Sequence, residues 1–583
     1  MTWQNIIRNS KFKTLILCLT VFGFAAISTS AMPPNPVTIE KHLNSGGELP
    51  YYLAERSMIL SKGIGHVAKP SGEKAASAFT GTFRALAIIV EFSDKAHTAD
   101  ASGFDTLLFV NQQGSLRHYY NEVSYSQLDV VTVNMPSALG WVTAPQTYAY
   151  YCNGQNGTGA YPQNSQRLCI DAVNLVDGVV DFSNYDNNGD GYVDALILVH
   201  TGPGAEFSQS SDDIWSHMWA VPSPITRDGI FIWKYSIQPE YWFAAGDMTC
   251  GVYCHEFGHI LGLPDLYDTT PLAGSDSYGI GNWSLMSYGS WNGPLVLHDG
   301  YYYTLGDYPS HLDAWSRIEL GFASSVNVAS NMTGTSIGNV EGGGSIYRLW
   351  EDGDTSDEYF LLENRQKTGY DAYLPSDGLL IWHVDDARSN NDDRWYPGLP
   401  WSSHYMVALE QADGLWELEN KTDRGDAGDP FPGNTSNTSF TPASTPNSDA
   451  YIGTNTLVTV TNISSSASTM TADFQVSLLS GVEDDNIYSM PTEINLSQNY
   501  PNPFNPATNI MYNLSSASEV KLTVYDILGK EITTLINGRQ IAGEHVVVWN
   551  GRDNDNNEVS SGLYLYELTT GEQTESKKMM LVK

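Results

Sequence analysis

The stretch Cys254-His-Glu-Phe-Gly-His-Ile-Leu-Gly-Leu-Pro-Asp-Leu-Tyr-Asp268 contains the residues around which the chain is organised. Its apolar residues recur with the period of an amphipathic helix, which we predict to end near Gly262. His255 and His259 are one helical turn apart, so both imidazoles project from one face at a spacing that suits a single zinc ion. Glu256 lies beside the first histidine, where its carboxylate can reach a water at the metal, and is the candidate general base.

Asp265 is the candidate third ligand. Gly262 permits a turn with positive φ and Pro264 prevents the helix from resuming, so the chain can reverse and return Asp265 to the ion. Three protein ligands leave a fourth position for water, as in catalytic zinc sites. The alternative is a surface helix on which the H-E-x-x-H pattern occurs by chance.

A second motif, Gly281-Asn-Trp-Ser-Leu-Met-Ser-Tyr-Gly289, is similar to the methionine turn that lies beneath the zinc of metzincin proteases. Its position soon after the histidines favours this interpretation over a Met286 that only fills the core. Tyr288 lies where several metzincins carry a tyrosine that approaches the metal or the tetrahedral intermediate. A packed aromatic side chain is the alternative for Tyr288.

The two motifs together resemble the immune inhibitor A family of secreted bacterial zinc metalloproteases. The resemblance extends over residues 80 to 475 and is also carried by Ser115-Leu-Arg-His-Tyr-Tyr-Asn-Glu-Val-Ser-Tyr125, Pro309-Ser-His-Leu-Asp-Ala-Trp315, Leu362-Glu-Asn-Arg-Gln366, Gly378-Leu-Leu-Ile-Trp-His-Val-Asp385 and Gly425-Asp-Ala-Gly-Asp-Pro-Phe-Pro-Gly433. It implies zinc ligation by His255, His259 and Asp265, with the aspartate in place of the third histidine that is commoner in metzincins.

The resemblance and the strand patterns predict the fold class. We expect an α+β metzincin-like zinc protease catalytic domain, followed by a β-rich accessory region and a C-terminal Ig-like β-sandwich. Buried strands are predicted at Ala85–Phe92 and Asp194–His200, with a helix at Leu116–Val123 and a strand at Leu128–Val133 between them. The predicted segments are 1–31 (signal peptide), 32–80 (propeptide), 81–325 (catalytic domain), 326–480 (accessory region), 481–495 (linker) and 496–583 (C-terminal sorting domain).

The net charge excludes some classes of partner. The 583 residues include 66 Asp and Glu against 29 Lys and Arg, which gives a formal net charge of -37. Such a surface repels nucleic-acid phosphates and anionic membranes and suits a soluble, calcium-binding protein. We therefore expect no nucleic-acid partner. The other partner predictions are protein or peptide substrates, no transmembrane anchor and a monomeric state.

The N-terminus has the order of a secretory signal. Basic residues are followed by an apolar run from Leu15 to Ile27 and by small residues, with cleavage predicted after Ala31. A transmembrane anchor is the alternative, but so short a run does not span a bilayer comfortably. The family resemblance indicates that residues 32–80 are the propeptide of a zymogen; a flexible extension is the alternative. This segment contains no cysteine, which excludes inhibition by a thiolate on the zinc.

The cysteines that remain after signal removal are Cys152, Cys169, Cys250 and Cys254. In an exported protein this even number allows two disulfides, of which Cys152–Cys169 would close a polar loop. Cys250 and Cys254 are helical neighbours, for which buried free thiols are the alternative to a bridge.

The stretch Asp186-Asn-Asn-Gly-Asp-Gly-Tyr-Val-Asp194 matches the first half of a calcium loop. The expected oxygen ligands are the side chains of Asp186, Asn188, Asp190 and Asp194 and the carbonyl of Tyr192. Ile197 replaces the glutamate of the twelfth loop position, so a second site must complete the shell or the affinity is low. An Asx-rich turn without metal is the alternative. Asp426 and Asp429 are further calcium candidates, or part of a plain acidic loop.

Residues 496–583 show period-2 strands separated by turn residues, which predicts a small β-sandwich. It resembles the C-terminal sorting domain of type IX secretion. That resemblance implies recognition by the type IX machinery at the outer membrane and a secreted or cell-surface location. A permanent adhesive or carbohydrate-binding module is the alternative.

Together these features predict a secreted zinc endopeptidase that acts on extracellular proteins, with calcium as a structural cofactor. His255, His259 and Asp265 hold the zinc, Glu256 moves the proton of an activated water, and Tyr288 stabilises the oxyanion. One alternative is a zinc hydrolase of non-peptide amides or esters, which substrate profiling would separate. The other is a secreted binding protein with an inactive protease fold, against which the intact Glu256 argues.

Overall fold

In a computed structural model of the chain, the described residues are 31–64, 79–269, 277–392, 394–477, 495–499, 502–514, 518–540, 543–554, 557–571 and 573–582. The chain divides into two compact units, Met1–Leu478 and Leu479–Lys583. The predicted signal sequence up to residue 30 and residues 481–494 of the predicted linker lie outside the described residues. The predicted catalytic domain and β-rich region share the first unit.

Helices occur only in the first unit among the described residues. The α-helices are Pro36–Asn44, Tyr51–Ala54, Arg56–Leu60, Ala101–Phe109, Leu116–Val123, Pro136–Leu139, Tyr148–Cys152, Ser165–Val176, Ala205–Ser208, Cys250–Leu261, Ala314–Glu319 and Glu417–Asn420. The 3₁₀ turns are Phe182–Tyr185, Gly281–Trp283, Tyr288–Trp291, Val340–Gly342, Glu351–Gly353, Gly369–Tyr373 and Trp401–Ser403. The prediction for Leu116–Val123 is confirmed, and Ser115 caps this helix by accepting the N–H of His118.

A five-stranded mixed sheet forms the centre of the catalytic part. Its strands are, in spatial order, Val142–Thr143, Leu86–Glu91, Leu196–Pro203, Ile230–Tyr241 and His217–Arg227. The first four are parallel, and the last, which we call the rim strand, is an antiparallel edge. Leu86–Glu91 is buried on both faces as predicted, because Ala87 and Ile89 enter one core while Ile88 and Val90 enter another.

Two small pairs of strands accompany this sheet. Gly81–Arg84 pairs in parallel with Leu128–Val131, which confirms the predicted strand after the helix. Val296–His298 and Tyr301–Tyr303 form a hairpin.

The β-rich region contains two sheets. One is five-stranded, in the order Ser325–Asn327, Ile346–Leu349, Glu358–Arg365, Gly378–Asp385 and Val407–Leu409; the other has the order Met332–Gly338, Thr469–Gln475 and Thr459–Thr461. On the strand Gly378–Asp385, Leu379 and Ile381 face the core between these sheets, whereas Leu380 and Trp382 enter the core of the histidine helix. The region is therefore part of the catalytic body and not a separate appendage.

The second unit also consists of two sheets around one core. Their strands are Asn495–Leu496, Thr508–Leu514 and Gly543–Trp549 in one, and Glu531–Gln540, Ser518–Asp526, Gly562–Thr570 and Gln573–Leu581 in the other. Ile510 and Trp549 from the first sheet and Leu522 and Tyr566 from the second share this core. The arrangement matches the predicted two-layer β-sandwich.

The described cysteines are all buried free thiols, which is the alternative to the two disulfides that their even number allows. Cys152 Sγ donates to the carbonyl of Ser211 at 3.3 Å, and Cys250 Sγ donates to that of Gly306 at 3.9 Å. Burial in apolar surroundings raises the pKa of the Cys152 thiol to about 12. In the described part of the chain, no helix is long and apolar enough to span a bilayer.

Candidate metal centre

The histidine helix, Cys250–Leu261, is buried along nearly its whole length and carries His255 and His259 on one face. It ends as predicted at Gly262, whose φ of 108° turns the chain back toward the helix. The Nε2 atoms of the two histidines lie 3.1 Å apart. Asp265 Oδ1 lies 3.1 Å from His255 Nε2 and 3.4 Å from His259 Nε2, so the three predicted ligands converge.

The main chain holds the other ring nitrogen of each histidine. Nδ1 of His255 lies 2.8 Å from the carbonyl oxygen of Leu285, and Nδ1 of His259 lies 2.8 Å from that of Leu263. Because a carbonyl only accepts, each Nδ1 carries the proton and each Nε2 presents a lone pair. Burial lowers the pKa of His259 despite the opposing charge of Asp265, which favours the neutral imidazole that a metal requires.

Three ligand atoms therefore face one another in a buried space. Asp265 Oδ1 accepts no hydrogen bond within the described part of the chain. Two imidazole lone pairs 3.1 Å apart beside a carboxylate oxygen are unfavourable unless a cation lies among them. Two nitrogens and one carboxylate oxygen form a donor set found in catalytic zinc sites, so the residues fit the predicted metal.

Glu256 lies in the same space, next to His255 on the helix. Its Oε1 accepts the main-chain N–H of Met32 at 2.9 Å, and its Oε2 is buried without a hydrogen-bond partner among the described residues. Burial raises the pKa of Glu256 well above its usual range, and the charge of Asp265 adds to the rise. A carboxylate with one free oxygen beside the ligand atoms is placed to exchange a proton with a group bound there.

The predicted methionine turn packs against the histidine helix. Met286 is fully buried, and a Cβ placed on Gly258 would lie only 2.6 Å from Met286 Sδ. Tyr288 is 7% exposed, with its ring centroid 5.7 Å from that of Tyr267 and 5.2 Å from that of Tyr278. The described contacts of Tyr288 are thus those of a packed aromatic wall, and its catalytic role stays a prediction.

Charged residues of the β-rich region support this turn. Arg365 is fully buried and binds the Asp371 carboxylate through two N–H groups, at 2.8 and 2.7 Å. It also donates to the carbonyl oxygen of Trp283 at 3.2 Å. Glu363 joins Arg365 to Arg317, which lies on a helix of the catalytic part. We call Arg317, Glu363, Arg365 and Asp371 the buried ion cluster.

The cluster connects to the metal ligands through the chain. Trp283 is held at its carbonyl by Arg365 and at its indole Nε1, which donates to Asp429 Oδ2 at 2.8 Å. Two residues later, the carbonyl of Leu285 orients His255. Sequence reasoning missed both supporting roles: it used Arg365 only as part of the family resemblance and took Asp429 as a calcium candidate.

The N-terminal segment, residues 31–64, passes directly over the candidate ligands. The N–H of Ala31 donates to Asp265 Oδ2 at 3.0 Å, and Ala31 pairs in antiparallel fashion with His217 of the rim strand. Further hydrogen bonds hold its main chain: Trp215 Nε1 to Met32 O (2.9 Å), Trp291 Nε1 to Pro33 O (3.0 Å) and Asn35 N to Glu206 O (2.8 Å). Ala31 is fully buried here, directly before the predicted signal cleavage point.

The predicted calcium loop is closed by hydrogen bonds among its own residues. The Asp186 carboxylate accepts the N–H groups of residues 189–191 at 2.8 to 3.1 Å. Asp194 accepts from Asn188 Nδ2 at 3.0 Å, and Asp190 accepts the N–H of Tyr192 at 3.0 Å. Burial raises the pKa of Asp194 to about 6. The carboxylates of this loop do not converge within 4.8 Å as the histidine site does, so calcium binding here stays a prediction.

Of the two other calcium candidates, only Asp426 joins a convergent acidic group. Its carboxylate lies within 4.8 Å of those of Asp413 and Glu417. Asp429 instead binds the Trp283 indole, and burial raises the pKa of Asp429 to about 7.

Comparison with known proteins finds similarity over the part of the chain that holds these candidate ligands. Residues 99–322 match the family described as Immune inhibitor A peptidase M6, catalytic domain, and residues 505–574 match the FlgD Ig-like domain family. The matched peptidase domain includes His255, Glu256, His259 and Asp265.

Two curated relatives are similar over the same part of the chain. Immune inhibitor A of Bacillus thuringiensis subsp. alesti is 28% identical over 39% of this chain and 39% of its own length. The pre-pro-metalloprotease PrtV of Vibrio cholerae serotype O1 is 29% identical over 40% of this chain and 29% of its own length. The chain thus spans well under half of either relative. A structure of FlgD from P. aeruginosa is 29% identical over 13% of this chain and 57% of its own, with a TM-score of 0.11.

Proposed function

We propose that the chain is a secreted, zinc-dependent endopeptidase that is made as a zymogen and hydrolyses peptide bonds of extracellular proteins. The observation that carries this proposal is the convergence of His255, His259 and Asp265 beside the free Oε2 of Glu256. The match of residues 99–322 to a peptidase catalytic domain supports it.

Each residue has a role set by its contacts. His255 and His259 through Nε2, and Asp265 through Oδ1, would hold the zinc. When bound, zinc lowers the pKa of a water and polarises the scissile carbonyl. Glu256 takes the proton of that water on Oε2 and passes it to the leaving amine. Between the two transfers the Glu256 carboxyl keeps the proton.

We also propose that Tyr288 stabilises the charge on the scissile oxygen, in a metzincin-like catalytic domain. Two contacts support this arrangement. Met286 packs against Gly258, and the N–H of Leu266, the residue after Asp265, donates to the carbonyl oxygen of Met286 at 2.8 Å. Replacement of Tyr288 by Phe should lower kcat with little effect on KM, and an unchanged kcat would exclude the role.

Residues 32–64 of the N-terminal segment, which belong to the propeptide predicted at 32–80, would keep the enzyme inactive. In the uncleaved chain Ala31, the last residue of the predicted signal peptide, is bridged to His217 of the rim strand, at the edge where an extended substrate would add as a strand. Met32 of the segment hydrogen-bonds the candidate base, Glu256. A substrate cannot take either position until the segment leaves.

The experiment is casein proteolysis by the full chain, before and after removal of the N-terminal segment, with Glu256→Gln in parallel. Activity should appear after removal, disappear with o-phenanthroline and return with zinc. Glu256→Gln should still bind zinc but lose about 10²–10⁴-fold in rate. Wild-type turnover by the zinc-loaded variant would refute the general-base role. A processed, zinc-loaded enzyme that cuts no peptide would favour the non-peptide hydrolase or the inactive binding protein.

Export, sorting and calcium binding are also part of the proposed function. Residues 1–31 would direct export, residues 496–583 would address the type IX machinery, and calcium would bind at Asp186–Asp194 in a monomeric enzyme. The folding of the C-terminal residues as their own compact unit supports a separable address. Deletion of residues 496–583 should leave casein proteolysis in vitro intact and abolish release from cells; release of the truncated chain would exclude the sorting role.

A further inference from the structure

Arg56 of the N-terminal segment places its guanidinium close to the candidate metal ligands. Its side chain is only 7% exposed, and its Nη2 donates to the hydroxyl of Tyr267 at 2.9 Å. The guanidinium carbon lies 5.2 Å from the ring centroid of Tyr267, at cation–π distance. Tyr267 follows the ligand Asp265 by two residues, and its hydroxyl also binds the carbonyl of Ala31. A buried cation therefore lies beside the path of the segment over the site.

Asp392 places a carboxylate near Tyr267 on the enzyme side, since its neighbour Asn391 donates to the carbonyl oxygen of Leu266 at 3.2 Å; within the described residues Asp392 itself makes no ion pair with Arg56. The Asp392 carboxylate is held in place by the N–H of Thr269 at 2.9 Å and by its hydroxyl at 2.6 Å. Burial raises the pKa of Asp392, and the positive charge of Arg56 acts in the opposite direction. The charge of Asp265 would be taken up by the metal, which leaves Asp392 to balance a cation here. We call Tyr267 and Asp392 the Tyr267 pocket.

The enzyme presents the opposite sign of charge to another part of the N-terminal segment. Arg424 lies with its guanidinium carbon 5.2 Å from the ring centroid of Tyr288 and donates to Glu40 of the segment at 3.1 Å. It also donates to the hydroxyl of Tyr278 at 3.0 Å. A basic side chain of a substrate is thus favoured at the Tyr267 pocket and repelled near Arg424. The preference for a basic residue should therefore apply to one substrate position only.

We infer that the Tyr267 pocket is a substrate subsite for a basic side chain, and that the processed enzyme prefers peptides with arginine near the scissile bond. This rests on the proposed peptidase function. Removal of the N-terminal segment takes Arg56 away, so the Tyr267 ring loses its cation and Asp392 loses a nearby positive charge. A substrate arginine restores the contact with Tyr267 and brings its charge near Asp392, and its planar guanidinium suits the tyrosine ring better than the compact ammonium of lysine.

The test uses sets of quenched fluorescent peptides. Within one set the peptides differ at a single position, which carries arginine, lysine, citrulline or norleucine. Different sets place this variable position at different distances from the scissile bond. Citrulline keeps the shape of arginine without its charge. For the processed, zinc-loaded enzyme, kcat/KM at one position should be about 10-fold or more higher for arginine than for citrulline. Asp392→Asn should reduce this ratio toward one. Asp299→Asn is the matched control, because Asp299 pairs with Lys41 of the same segment at an exposed position and should leave the ratio unchanged.

The outcomes separate the subsite from the peptidase function. Equal kcat/KM for arginine and citrulline at every position of the wild-type enzyme would overturn the subsite while leaving the peptidase intact. An arginine preference that survives Asp392→Asn would place it elsewhere and overturn this assignment. Cleavage of none of the peptides would refute the proposed function and the subsite with it. Because the wild-type ratio needs no variant, the test does not depend on how well Asp392→Asn folds.

Discussion

Replacing Arg365 with methionine should destabilise the first unit strongly. Arg365, Glu363 and Asp371 are fully buried, and the Arg365 fork makes two hydrogen bonds to Asp371, at 2.8 and 2.7 Å. Burial alone would raise the pKa of Asp371, but Arg365 and His311 hold it well below its usual range. Methionine fills similar volume but leaves that carboxylate without its cation. Breaking a buried ion pair on one side costs about 3–5 kcal/mol.

The measurement is the urea midpoint of the full chain, followed by tryptophan fluorescence. With an m-value of about 3 kcal/mol/M, the midpoint of Arg365→Met should fall by about 1–1.7 M. Arg117→Met is the matched control, since Arg117 holds Asp129 with the same fork, at 2.6 and 2.9 Å, but with side chains 27% and 35% exposed. This exposed pair should contribute less than about 1 kcal/mol.

The same variant should also change the affinity of the candidate metal centre for zinc. Because Arg365 also holds the Trp283 carbonyl near His255, the folded variant should bind zinc more weakly, whereas Arg117→Met should bind it normally. Equal midpoints for the two variants would refute the argument from burial. A large stability loss with unchanged zinc affinity would limit the cluster to a structural role.

Three further predictions concern stability. Two glutamates 3.0 Å from His383 raise the pKa of this buried histidine to about 9, against the lowering effect of burial. Since the pKa of His383 in the folded protein exceeds that in the unfolded chain, the stabilisation is complete below about pH 6.5 and is lost toward pH 9, by about 3 kcal/mol in all. The urea midpoint of the wild type should therefore fall over this pH range, and His383→Gln should flatten the fall. A wild-type midpoint that does not change with pH would contradict the prediction. Gly251→Ala should destabilise the protein by several kcal/mol, because the added Cβ would lie 2.2 Å from the carbonyl oxygen of Ser290. Gly103→Ala is the control: its Cβ would meet nothing within 4 Å, so it should stabilise its helix by about 0.5–1 kcal/mol in the same urea titration. Calcium should raise the melting temperature at neutral pH, and Asp190→Asn should remove the increase; equal increases in both proteins would exclude this loop as the site.

The histidine helix and the convergence of its candidate ligands were predictable because their signals are local. The apolar period placed the helix, and Gly262 and Pro264 ended it, which left Asp265 free to return. The apolar run Ala85–Val90 identified a strand buried on both faces for the same reason. In each case the information lies within about ten residues of chain.

The buried ion cluster was not predictable, because its partners meet only after folding. Glu363 and Arg365 lie at the end of a strand whose sequence fits a solvated edge equally well. Their partner Arg317 comes from another part of the chain. No periodicity links a strand residue to a helix forty-odd residues earlier, so the boundary drawn near residue 325 separates two parts that share one interior.

The path of the N-terminal segment was hidden for a different reason. Ala31 and Met32 bind Asp265 and Glu256 through main-chain N–H groups, which every residue except proline carries. Such contacts leave no side-chain signature in the sequence. The calcium loop shows the converse problem: its oxygens can be satisfied by N–H groups or by a cation, and the residue pattern is the same for both.

The carbonyl partners of the two imidazoles have a consequence for how this site can vary. In many metal centres a carboxylate side chain holds the second ring nitrogen, so a single substitution can change the basicity of the ligand. Here the partners are the main-chain oxygens of Leu285 and Leu263, which persist whatever side chain stands at those positions. Substitutions at these two positions can alter packing, but they cannot remove the carbonyl oxygen that accepts the hydrogen bond. Random mutagenesis should therefore find these two positions tolerant of other apolar residues, and tuning of the histidines must come from displacement of the chain itself.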